Sequence, residues 1–225
     1  MRWKDGFIAV DWGTTNRRAY AIDASGHQGD EFEDDKGIMA VPAGGFPAAV
    51  QEIRDRLGDK PLLLAGMVGS NRGWVEAPYV ACPAALDDLA GALAWPGERE
   101  AIVPGVKDDR DERADVMRGE EVQLLGAVAA GLVDADALVC HPGTHNKWTE
   151  LHQGQIQRFQ TVMTGELFSL LKEHSILADL MKGPVSDNDI FRGAARHAIF
   201  TTPAMKHRSP SISFATRFAS WIAAA

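Results

Sequence analysis

The chain has 225 residues, 45% of them hydrophobic and 24% charged, which excludes a wholly disordered protein and leaves room for one large domain or two small ones. Lys and Arg number 23 against 31 Asp and Glu, a formal net charge of −8, and an acidic chain is a poor partner for nucleic-acid phosphates. Two cysteines, Cys82 and Cys140, exclude a disulfide framework and a four-cysteine zinc site and point to a reducing cytoplasm, while no apolar run approaches the ~20 residues that cross a bilayer and Asp5 interrupts the N-terminus before any signal-peptide core.

The first apolar run, 7–10, reads as a buried strand ending on the acid Asp11. A second strand, 19–22, and a turn at 23–26 make a hairpin. Phe46, Val50, Ile53 and Leu57 recur at helical spacing and predict a helix over 46–57. A strand over 62–67 follows and runs into the string 66–74, Gly-Met-Val-Gly-Ser-Asn-Arg-Gly-Trp. Ser70, Asn71, Arg72 and Trp74 there offer hydroxyl, amide, cation and aromatic partners beyond a strand end, the equipment of a ligand loop for a sugar acid. Residues 102–106 read as a short strand or turn, and the charge run 107–115 as a solvated loop. Arg118 to Gln123 opens an apolar helix through 124–132. Glu120 and Glu121 at its start face the positive end of the helix dipole, and on that ground alone they read as charge compensation.

A strand over 137–140 then enters Pro-Gly-Thr-His-Asn-Lys-Trp at 142–148, continues as a strand to Leu151 and turns at Gln153 and Gly154. Residues 161–164 are expected to lead as a strand into a helix over 165–171, with His174 as a helix-end cap. The string Gly-Thr-Thr-Asn-Arg at 13–17 matches Gly-Thr-His-Asn-Lys at 143–147, 130 residues later, and the turn glycines Gly26 and Gly154 are 128 apart. That spacing is too long for a solenoid repeat of about 20–50 residues and has the size of a domain. Two related domains, each opening with a strand, a Gly-Thr turn and further strands, would face each other across a cleft.

A Gly-Thr turn between strands presents amides and a hydroxyl to phosphate oxygens. Two such turns, Gly13-Thr14-Thr15 and Gly143-Thr144-His145, can hold a polyphosphate from both sides, and Asp11 can hold hydrated Mg²⁺ beside them. Other chemistry finds no support. The chain has no G-x-x-x-x-G-K-[ST] and no H-E-x-x-H, and Ser25 and Ser70 stand outside any G-x-S-x-G context.

The string 10–18 resembles the first phosphate motif of the sugar-kinase, Hsp70 and actin superfamily. Together with the strings 66–74, 117–123 and 142–148 it resembles the 2-dehydro-3-deoxygalactonokinase family, over roughly residues 7 to 200. The resemblance implies an α/β fold of two ribonuclease-H-like (actin-like ATPase) domains facing a cleft, the first over 1–135 and the second over 136–225. It implies a cytoplasmic kinase that uses ATP and Mg²⁺ to phosphorylate the 6-hydroxyl of a small-molecule sugar acid, 2-dehydro-3-deoxy-D-galactonate, in galactonate catabolism. Asp11 would lie near the metal. Gly13, Thr14 and Thr15 would form the first ATP phosphate turn, and Gly143, Thr144 and His145 the second. Related sugar kinases keep a catalytic aspartate where this chain has Glu120 and Glu121, so the resemblance makes one of that pair the base and leaves open which.

The resemblance fades after about residue 200. The late glycine-rich segment with which family members contact adenosine has no counterpart, and basic residues follow Asp189 with no further acid. The expectation is an incomplete second domain, whether truncated, frame-shifted or a genuine variant, with weak ATP binding. An uncovered sheet face would then favour self-association into a homo-oligomer, and irregular structure is expected from Thr201 onward. Two other functions stay open at this point: a related kinase acting on a neutral sugar or polyol, and a non-catalytic remnant without an adenosine site.

Overall fold

A computed structural model describes residues 3–110 and 114–182; the expectations for the tail beyond about residue 200 lie outside these residues. In chain order the elements are β1 (Phe7–Trp12), β2 (Arg17–Ile22), β3 (Gln28–Asp34), α1 (Phe46–Leu57), β4 (Leu62–Gly66), β5 (Tyr79–Ala81), α2 (Leu86–Gly91) and β6 (Glu100–Ile102). There follow β7 (Gly105–Asp108), β8 (Asp115–Met117), α3 (Glu120–Ala129), β9 (Ala137–His141), β10 (Asn146–His152), β11 (Gln155–Val162) and α4 (Thr164–His174). The fold is mixed α/β. Among the described residues no helix is long and apolar enough to cross a membrane.

The chain divides into two units, 1–168 and 169–225. The described part of the second, 169–182, holds the later turns of α4 and a short 3₁₀ turn, Ala178–Leu180.

In the first unit, β1, β2 and β3 form an antiparallel meander, and β4 and β6 add in parallel beside β1, giving the order β3-β2-β1-β4-β6. The period-two pattern of β1 sets its two faces. Ile8, Val10 and Trp12 are buried on one side. They pack with Leu62 and Leu64 of β4 and with Phe46, Val50 and Ile53 of α1. Ala9 and Asp11 therefore look the other way. On that side Leu63 and Ala65 border a second core built from Val106 and Met117, from Leu124 and Leu125 of α3, and from Leu151 and Ile156 of the later strands.

The internal repeat is present in topology. β9, β10 and β11 form an antiparallel meander in the order β11-β10-β9, as β1, β2 and β3 do at the start. Helix α1 has the predicted bounds, with Pro at its first turn, where a missing N–H costs nothing, and Arg54 and Arg56 at its last.

Other boundaries differ from the expectations. β4 stops at Gly66, and Met67–Gly69 is a 3₁₀ turn. The predicted stretch 102–106 is a junction, with β6 ending at Ile102 and β7 starting at Gly105. The charge run 107–115 is not wholly loop. Lys107 and Asp108 end β7, and Asp115 begins β8, which pairs with it. Helix α3 starts at Glu120 and ends at Ala129, and the strand expected at 161–164 is the end of the longer β11. β5 and α2 have three and six residues, less than two full periods of pattern, and carry no readable sequence signal.

Candidate active site

The site lies where β1 ends, on the face turned towards α3. Asp11 sits opposite Arg18 of β2 and Ala65 of β4. With Tyr20, Val122 and Gln123 these residues line a cleft of about 370 Å³. Burial pushes the Asp11 carboxyl above its ordinary value; Arg18 opposes that shift, and Glu120 adds to it by like-charge repulsion. Asp11 and Glu120, 109 positions apart, thus lie within electrostatic reach of one another.

Two glycines permit this approach. Gly66, at the end of β4, has φ +90°, and a Cβ there would come within 2.9 Å of the Trp12 carbonyl oxygen and 3.4 Å of Asp11 Oδ1. Gly119, before α3, has φ +110°, and its Cβ would lie 3.3 Å from Gly66 Cα. Side chains at either point would lift the helix start away from the strand ends.

The glutamate pair divides at this helix start. Glu121 is fully buried, and both its carboxylate oxygens accept from the Gly119 amide, at 2.8 and 2.7 Å. Burial pushes its carboxyl up to about 7. Glu120 is partly exposed, with Oε2 accepting from the Arg118 amide at 3.0 Å and Oε1 4.0 Å from Lys147 Nζ. It is the member of the pair whose charge acts on Asp11.

The first Gly-Thr turn is braced from a segment that the sequence motifs do not single out. The carbonyls of Gly13, Thr14 and Thr15 accept from the amides of Ile38, Met39 and Gly37, at 3.0, 3.2 and 2.8 Å. Gly37 presses so close that a Cβ would come within 2.3 Å of the Thr14 carbonyl oxygen. Thr14 and Thr15 are exposed, and their amides donate to none of the described residues, the state in which an anion can be accepted.

The second turn, Gly143-Thr144-His145, is also exposed. Buried Asn146 closes it, its Oδ1 accepting from the Gly143 amide at 2.9 Å. The first turn of α4 rests on it: the Glu166 amide donates to the Thr144 carbonyl at 3.0 Å, and Glu166 Oε2 lies 2.5 Å from His145 Nε2. His141, which ends β9 and occupies the repeat position of Asp11, pairs its Nε2 with Gln123 Oε1 of α3 at 2.7 Å. The second turn is thereby tied to the same helix that carries Glu120.

The loop after β4 builds a separate pocket of about 310 Å³, lined by Arg72, Gly73 and Trp74 together with Pro42 and Phe46. The Trp74 and Phe46 rings stack at 6.1 Å. Asn71 and Arg72 are exposed. Ser70 is buried and staples the loop, donating to the Met67 carbonyl at 2.7 Å and accepting from the Arg72 amide at 3.3 Å. This pocket and the Asp11 cleft share no lining residue. Arg118 links Glu120 to the segment that follows this loop. Its Nη2 donates to the Ala77 carbonyl at 2.9 Å, its guanidinium lies over the Tyr79 ring, and its amide meets Glu120.

Among the described residues no three His, Cys, Asp or Glu side chains converge as a metal cage. The donor set at Asp11, one carboxylate beside free turn amides, fits hydrated Mg²⁺ carried in with phosphate oxygens. Both cysteines are free, and burial raises their thiols to about 12 for Cys82 and about 11 for Cys140, against any nucleophilic role. Residues 37–39, Arg118, Lys147 and Glu166 were not read as site residues, because their parts depend on contacts across the chain.

Comparison with known proteins matches this architecture to one family. The model of the 2-keto-3-deoxy-galactonokinase family matches residues 11–221. The 2-dehydro-3-deoxygalactonokinase of Escherichia coli (strain K12) is 38% identical over 202 residues, covering 88% of this chain and 67% of that protein. "Probable 2-dehydro-3-deoxygalactonokinase DgoK1" of Rhizobium meliloti (strain 1021) is 38% identical over 208 residues, covering 90% of this chain and 66% of the relative. A crystal structure from Sinorhizobium meliloti, whose name places it with the 2-dehydro-3-deoxygalactonokinases, superposes with a TM-score of 0.79 at 34% identity over 88% of this chain and 68% of that one. The chain spans about two thirds of the length of these relatives, and with its repeated Gly-Thr hairpins and its paired acids it belongs to the 2-keto-3-deoxy-galactonokinase family, a family of kinases.

Proposed function

We propose that the chain catalyses transfer of the ATP γ-phosphoryl group to the 6-hydroxyl of 2-dehydro-3-deoxy-D-galactonate, a cytoplasmic step of galactonate catabolism. The observation that carries this reading is that Glu120, at the start of α3, lies within electrostatic reach of Asp11 at the end of β1, on a helix tied to the second Gly-Thr hairpin through Gln123 and His141. Each Gly-Thr turn belongs to one of two ribonuclease-H-like domains, divided near residue 135.

Phosphoryl transfer asks the protein for positioning and for neutralisation of charge. The amides at Thr14 and Thr15 and the second turn at Gly143, Thr144 and His145 bind the phosphate chain. Asp11 would hold Mg²⁺, which supplies positive charge to the phosphate oxygens when bound. Glu120 is the base: it is partly exposed and within electrostatic reach of Asp11, and it takes the proton of the attacking hydroxyl. Glu121 has both oxygens on the Gly119 amide and no exposure, and its part is to set the helix start. Arg72 and Trp74 offer a cation for the substrate carboxylate and an aromatic face for its carbon chain, with Asn71 beside them and Ser70 shaping the loop.

A coupled ADP-release assay against 2-keto-3-deoxy sugar acids, with neutral sugars and polyols as controls, tests the reading. The expected result is turnover with the sugar acid, lost by at least about 100-fold in Asp11→Asn with an unchanged Tm. Turnover confined to neutral sugars would move the substrate assignment, and no Mg²⁺-dependent binding of ATP by calorimetry would make the chain a non-catalytic binding protein.

A further inference from the structure

Lys147 is a buried cation that the function so far leaves unused. Only 6% of it is exposed. Its ammonium donates to the Val116 carbonyl at 2.9 Å and to Thr161 Oγ1 at 2.7 Å, and lies 4.0 Å from Glu120 Oε1. Thr161 in turn donates its hydroxyl to Asp115 at 2.6 Å. Among the described residues Glu120 is the carboxylate that the ammonium reaches within 4.0 Å.

The internal repeat shows why this matters. Arg17 holds the equivalent position in the first hairpin and is also fully buried. Its cross-strand neighbour is Asp34, which pairs with it through two bonds at 3.1 and 2.7 Å. The cation of the first repeat thus has its closest counter-charge inside its own hairpin, with Glu52 of α1 further off at 3.5 Å. In the second repeat the cross-strand neighbour of Lys147 is Thr161, a hydroxyl with no charge to offer. A buried ammonium needs a counter-charge; here Glu120 of α3 approaches it directly at 4.0 Å, while Asp115 of β8 stands one hydroxyl further off, behind Thr161. The threonine at the aspartate position leaves the cation free to act on a carboxylate outside its hairpin.

We propose that Lys147 is a positioning residue for phosphoryl transfer: it holds the Glu120 carboxylate in place from 4.0 Å and links it to the second phosphate turn, which ends two residues before it at His145. The inference rests on the reading of Glu120 as the base. At 4.0 Å the pair is an electrostatic contact and not a hydrogen bond. In a partly buried setting such a contact keeps its strength, since little water screens it. The hydrogen bonds to Val116 and Thr161 hold the ammonium still, so its charge acts from a fixed point.

The test is a double-mutant cycle in the full chain, read by ADP release, with the Tm of every variant recorded. Lys147→Met is expected to lower kcat about 10- to 100-fold with the KM for the sugar acid within about threefold. Lys147→Arg, which keeps the charge, is expected to recover a clear part of that kcat. In the Glu120→Gln background Lys147→Met is expected to cost no more than about twofold, because a cation that acts through the base has nothing left to act on. An additive loss in that background, or equal kcat in the Met and Arg variants, overturns the role assigned to Lys147. Full activity of Glu120→Gln alone overturns the reading of the base instead, so the two failures are distinguishable. A Lys147→Met variant too unstable to assay leaves the Arg comparison, where loss of kcat below about one hundredth of wild type at an unchanged Tm likewise counts against the proposal.

Discussion

Glu120 and Glu121 are neighbours in sequence and opposites in setting. One carboxylate spends both oxygens on a backbone amide and is sealed in the protein, and the other is partly open to water and within electrostatic reach of Asp11. Glu120→Gln is therefore expected to lower kcat by about 10²–10⁴-fold with little change in Tm. Glu121→Gln is expected to act through stability, with kcat changed less than about tenfold. Parallel steady-state kinetics and thermal melts of both variants check this division, and equal kcat losses would undo it. Arg72 is exposed at the rim of the Trp74 pocket. Arg72→Ala is expected to raise the KM for a sugar acid by about tenfold and to leave the KM for ATP near its starting value. A shift of both constants together would return the segment to an ordinary surface loop.

The first Gly-Thr turn owes its shape to a short segment between β3 and α1. Three consecutive carbonyls of the turn are taken up by the amides at 37–39, and the Gly13 amide by the Asn16 carbonyl, which leaves the Thr14 and Thr15 amides without a partner among the described residues. Gly37 makes that contact possible, since any Cβ would overlap the Thr14 carbonyl. Its φ of −63° is open to every residue, so close approach alone requires the glycine. Gly37→Ala is expected to push the turn away from its brace and to raise the KM for ATP at least about tenfold, with a smaller effect on the sugar acid. Calorimetric titration with Mg²⁺–ATP measures it, and unchanged affinity would show that the brace does not shape the phosphate contacts.

The stability of the molecule should carry the mark of its buried acid. Glu121 has an ordinary value of 4.5 in the unfolded chain and about 7 when folded. Between these limits the folded chain keeps a proton that the unfolded chain gives up. The stabilisation is thus full below about pH 4.5 and is lost as the pH rises through about 7. Up to about 3 kcal/mol is at stake. Melts of wild type and Glu121→Gln at pH 5 and pH 8 are expected to show a larger fall in Tm for the wild type over that interval. Parallel pH dependences in the two proteins would place the burden on other groups.

Much of this was legible in the residues. The strand that ends on Asp11, the Gly-Thr turns, the helix from Phe46 and the hairpin repeat each rest on patterns complete within a few neighbours, and period and turn chemistry are local properties. The same locality explains what was missed. β5 and α2 are too short to display a period, and the charges at Lys107, Asp108 and Asp115 conceal strand ends that pair with one another. Only the tertiary structure chose between the two glutamates, because the choice depends on the Gly119 backbone meeting Gly66 across 53 positions of sequence. Only the tertiary structure could put Lys147 beside Glu120 or Gly37 beneath Thr14. The sequence determined which groups are present and which turns expose them. Burial and long-range packing decided which carboxylate stays open to water and which cation stands beside it, because the cost of sealing a charge from water depends on every segment that closes over it.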